Sequence, residues 1–72
     1  MTSLEAIDVV RNMLLEHRQS HVNWKEYYEK FPEKEALYVT SAGDKVRQIK
    51  MISEHDEALE ALDIIWAGLK PE

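Results

Sequence analysis

Three histidines are the first residues of this sequence with chemistry to offer. His17 and His21 stand four apart, the spacing that puts two imidazoles on one helical face, where they can share a metal ion. His55 falls on the apolar stripe of a later segment, so all three can meet in the interior with Asp56 or Glu16 as a carboxylate neighbour. No His-Glu-x-x-His pattern accompanies them, and the chain contains no cysteine. The spacing favours histidines at the core margin, hydrogen-bonded to backbone or stacked near Trp24, over a metal centre; no metal or cofactor is expected.

Other chemistry has less support. Ser3, Ser20, Ser41 and Ser53 sit where a cap or turn accounts for them, and none lies in a Gly-x-Ser-x-Gly elbow. The only glycines, Gly43 and Gly68, are isolated and cannot form a phosphate-cradling loop. Glu54, Glu57, Glu60 and Asp63 recur along one outward helical face, the pattern of a solvated surface. The sequence reads as a non-enzyme.

Lys45, Arg47 and Lys50 gather within six residues. On a two-stranded ribbon they would suit a nucleic-acid groove, which gives an alternative reading as a dimeric nucleic-acid-associated regulator. Three bases are few, and 14 acids against 9 bases leave a net charge of −5 that repels phosphate. The favoured site is aromatic instead. Trp24, Tyr27, Tyr28 and Phe31 are more ring surface than one small core readily hides, and with the acids Glu57 and Glu60 as a rim they suggest a surface for a second copy or a basic protein partner. The expected function is a non-catalytic interaction or regulatory domain: an oligomer, adaptor or inhibitor, by analogy with small acidic phage and plasmid regulators.

These residues need elements to position them. From Thr2 to about Gln19, Ala6, Ile7, Val10, Met13 and Leu14 follow a helical period, and Thr2 with Glu5 makes a capping box. Leu4, Val9 and Leu15 lie off that stripe, so this helix is apolar over more than one packing face. Ser20 to Asn23 reads as a break, with Asn23 and Glu26 capping a short second helix, Val22 stapled onto Tyr27, and Phe31-Pro32 ending it. Residues 36–52 are rich in β-branched and aromatic side chains around Gly43-Asp44, which predicts a hairpin through a type II′ turn. The rival is a helix from Asp44 to Leu69, disfavoured because Val46 and Ile49 leave its stripe and Lys45 and Arg47 crowd its N-terminus. A last helix is expected from a Ser53/Asp56 cap, through Leu59, Leu62 and Trp66, to a stop at Lys70-Pro71.

The expected fold is therefore α+β and helix-dominated, in the order α-α-β-β-α, as one compact domain over 1–72; an all-α three- or four-helix bundle is the alternative. With 72 residues, 44% of them hydrophobic, the chain has room for one core and a composition that folds. It shows no basic leader and no long apolar run, so no membrane association is expected and a cytoplasmic location is.

Overall fold

The computed structural model describes residues 1–69. Helix α1 spans Ser3–Lys30, a 3-10 turn spans Pro32–Lys34, helix α2 spans Glu35–Ala42 and helix α3 spans Lys45–Leu69. There is no strand among the described residues, so the architecture is an all-α hairpin of two long helices joined by a short third.

The start and end of α1 follow from its sequence. Thr2 Oγ1 accepts from the Glu5 N–H at 3.1 Å while Glu5 Oε1 accepts from the Thr2 N–H at 3.4 Å, closing the capping box. Phe31, just before Pro32, leaves helical geometry with φ −129° and ψ 71°. The predicted break at Ser20–Asn23 does not exist. No proline or glycine interrupts residues 2–31, and Asn23 Oδ1 accepts from Gln19 Nε2 at 2.9 Å as an i,i+4 pair instead of capping a new helix.

The predicted hairpin over 36–52 is also overturned. Gly43 ends α2 with φ +90°, its N–H donating to the Val39 carbonyl at 3.1 Å. Asp44 then caps α3, its Oδ1 accepting from the Arg47 N–H at 2.8 Å and its carbonyl from Gln48 at 3.1 Å. An isolated two-stranded ribbon is marginal in water, whereas two helices satisfy their backbone locally, and β-branched residues cost each helix well under about 1 kcal/mol apiece. The cationic start of α3 is offset by Asp44 and by Glu35, whose Oε1 accepts from the Lys45 N–H at 3.5 Å. Val46 and Ile49 do leave the packed stripe, and both are exposed. Ser53 lies inside α3 and caps nothing. The predicted stop at Lys70-Pro71 falls outside the described residues.

Helices α1 and α3 run antiparallel. Arg11 pairs with Asp63 at 2.7 Å and Arg18 with Asp56 at 2.6 Å, which fixes the register. All four side chains reach solvent, so these pairs set alignment more than stability. Within the interface, α1 presents Ile7, Arg11, Leu14, Arg18, His21, Lys25 and Tyr28, and α3 presents Gln48, Ile52, His55, Leu59, Leu62 and Trp66; each set alternates steps of four and three residues.

The resulting core is thin. Ile7 and Tyr28 are the buried hydrophobic residues among those described, joined by the polar Gln48. The chain measures 53 × 19 × 18 Å with a radius of gyration of 15.6 Å, against roughly 11 Å for a compact chain of this length. It exposes 5409 Å², where roughly 4600 Å² is typical for its 8.4 kDa.

Candidate functional site

The side of the hairpin beside the α1–α3 seam carries the unpartnered apolar surface. On α1 the residues Ala6, Val10, Met13, His17, Ser20, Trp24, Tyr27 and Phe31 follow a second run of alternating four- and three-residue steps, rotated about 100° from the run that meets α3. On α3, Met51, Ala58, Ile65 and Leu69 line the matching edge. Because the helices are antiparallel, both stripes turn to the same side. The contact of His17 on one stripe edge with His55 on α3, at 6.1 Å between ring centres, agrees with that placement. Met13 is 48% exposed and Ile65 52%, values far from those of a core.

One end of this face is aromatic. Trp24 lies 5.4 Å from Tyr38 and 5.7 Å from Tyr28, and Tyr27 lies 5.4 Å from Phe31, all between ring centres, so α2 closes over the last turns of α1 through Tyr38. An open groove of about 530 Å³ runs past Ser20, Asn23, Trp24, Tyr27 and Tyr38. Tyr28 differs from its neighbours: it is buried, and its hydroxyl donates to the Gly43 carbonyl at 2.8 Å. Burial raises the phenol pKa of Tyr28, and of Tyr27 as well, where the adjacent Tyr38 adds to the effect.

Of the residues expected to bind a partner, Trp24, Tyr27 and Phe31 thus share one face, with Phe31 exposed and Trp24 and Tyr27 half-buried, and Tyr28 belongs to the core. Glu57 and Glu60 do not rim them. The Arg18–Asp56 pairing sets both glutamates level with Leu14 to His17 of α1, and their helical phase turns them away from the apolar stripe. The basic residues Lys45, Arg47 and Lys50 occupy the first turns of α3, where Arg47 and Lys50 lie between Asp44 and Glu54 along an open groove, so the ribbon that would have carried them into nucleic acid is absent.

The histidines converge at the middle of the hairpin. His21 and His55 lie 5.3 Å apart between ring centres, with the exposed His17 beside His55. His55 Nδ1 is 2.7 Å from the Met51 carbonyl and His21 Nδ1 is 2.6 Å from Gln48 Oε1. Gln48 Nε2 in turn donates to the Ala42 carbonyl at 2.5 Å, which leaves Oε1 as the acceptor facing His21. Sequence spacing indicated that His17 and His21 share a face; it gave no sign of Gln48, a polar residue buried between the exposed Arg47 and Ile49. Among the described residues, no three His, Asp or Glu side chains already stand as a ready ligand set for a metal ion, and no helix is long and apolar enough to cross a membrane.

The chain matches no protein-family model, no curated protein and no solved structure.

Proposed function

We propose that the chain is a non-catalytic association domain whose hairpin closes on a second copy of itself to form a four-helix bundle. The observation that carries this reading is the second apolar seam of α1, open at Val10, Met13 and His17 and covered by Tyr38 of α2 only toward its Trp24 end, beside the stripe of Met51, Ala58, Ile65 and Leu69. A helix with two adjacent seams is built to touch two neighbours; α3 covers one seam, and α2 covers only the end of the other.

Area supports a second copy. The excess exposed surface, roughly 800 Å² over a typical chain of this mass, equals about one partner's share of a standard interface. Two hairpins packed on this face would form a 144-residue bundle, for which roughly 14.5 Å is the expected radius of gyration, close to the 15.6 Å that one hairpin's length already imposes. A basic partner guided by Glu57 and Glu60 is less favoured, because those carboxylates lie off the apolar face.

Thermal melting over a hundredfold range of protein concentration tests the proposal. A dimer melts at a temperature that rises with concentration, and Met13→Glu, which places a charge in the seam, lowers the melting temperature and removes the dependence. A concentration-independent transition that Met13→Glu leaves unmoved would overturn it.

A further inference from the structure

The histidine cluster is a second feature of this molecule, and it meets the open seam of α1 at His17. We infer that His21 and His55 form a binding pair for a divalent transition-metal ion of the zinc class, with His17 turning in as the third ligand.

Tautomers come first. The Gln48 amide is oriented by its bond to the Ala42 carbonyl, so its oxygen accepts and His21 Nδ1 must carry the proton it donates. The Met51 backbone carbonyl can only accept, so His55 Nδ1 is likewise protonated. In each neutral ring the lone pair therefore resides on Nε2. An Nδ1–H held by a carbonyl oxygen, with Nε2 left open, is the outer-shell arrangement that orients metal-binding imidazoles and raises their basicity. Two rings on separate helices have it here, and one of the acceptors belongs to Gln48, a fully buried polar residue on the same interface.

Distance comes second. An imidazole nitrogen about 2.0 Å from zinc sets its ring centre roughly 3 Å from the ion, so two such ligands at a tetrahedral angle place their ring centres roughly 5 Å apart. His21 and His55 stand at 5.3 Å. His17 stands 6.1 Å from His55, is exposed, and lies four residues from His21 on the same face of α1, the placement a third ligand requires. The charged groups beside the cluster, Arg18 and Asp56, are already joined to each other at 2.6 Å. Imidazole donors select zinc, copper and nickel over magnesium and calcium, and three of them leave a coordination position for water or another ligand.

The test adds zinc ion alone to metal-free, full-length protein and follows uptake by equilibrium dialysis, the histidine Nε2 resonances by long-range ¹⁵N correlation, and mass by sedimentation. One zinc per chain should bind saturably, shifting the Nε2 signals of His21 and His55 while their Nδ1 protons persist. His21→Gln and His55→Gln should each weaken uptake by at least about tenfold with helicity retained by circular dichroism, and magnesium should not compete. Absence of saturable uptake, or uptake that the double variant leaves unchanged, would overturn the site. Sedimentation separates this result from self-association: zinc binding by a monomer sustains the site and removes the dimer, and a dimer that takes up no zinc does the reverse.

Discussion

The Tyr28 hydroxyl donates a 2.8 Å hydrogen bond to the Gly43 carbonyl, tying the last turn of α1 to the corner between α2 and α3. Tyr28→Phe keeps the ring and deletes the bond, so the melting temperature should fall by roughly 5 °C. The pH dependence follows from the raised phenol pKa: a group held protonated in the fold contributes stability below its ordinary range, near pH 10, and that contribution is lost as pH rises through the raised value. Melting from pH 8 upward should show an alkaline decline that Tyr28→Phe reduces; Tyr27, also raised, keeps part of it.

Gly43 and Gly68 should respond oppositely to the same change. Gly43 has φ +90°, and a Cβ there would run into the Arg47 side chain, so Gly43→Ala should destabilise by at least about 1 kcal/mol. Gly68 is helical with open space around its Cα, so Gly68→Ala should stabilise by up to about 1 kcal/mol. Urea unfolding of the two variants reads both signs.

Asp44 starts α3 by accepting from the Arg47 N–H at 2.8 Å. Asp44→Ala should cost about 1 kcal/mol in urea unfolding, and Asp44→Asn should restore most of it, since either side chain caps. A hairpin turn at this position would be indifferent to that pair of substitutions.

These substitutions fall where the sequence was hardest to read. The capping box at Thr2 and Glu5, the end of α1 before Pro32 and the stripe of Leu59, Leu62 and Trp66 were legible because local rules govern them. Gly43-Asp44 was not: the pair suits a tight hairpin turn and equally suits a helix stop followed by a helix cap, and the choice depends on whether Tyr38 packs on Trp24 and Tyr27. Ser20–Asn23 resembled a break because its polar residues can cap; inside α1 the packing of His21 within the stretch and of Tyr28 beyond it outweighs their weak preference. The surplus apolar circumference of α1 was legible, whereas the roles of Tyr28 and Gln48 depend on tertiary contacts with Gly43, Ala42 and His21.

Gln48 is the polar centre of the core, joined to Ala42 and His21. Gln48→Leu strands a part-buried carbonyl and an imidazole N–H, and should cost about 2 kcal/mol despite its added apolar surface. The same variant should accelerate hydrogen exchange at the α2–α3 corner, because the amide that holds Ala42 is gone.

Sedimentation equilibrium of the unmodified protein bears most directly on the open seam between Ala6 and Phe31. The expected mass is twice 8.4 kDa, falling to 8.4 kDa when Val10 and Met13 are both replaced by glutamate. An unmodified chain that remains at 8.4 kDa at millimolar concentration, fully helical and cooperatively folded, would contradict the account.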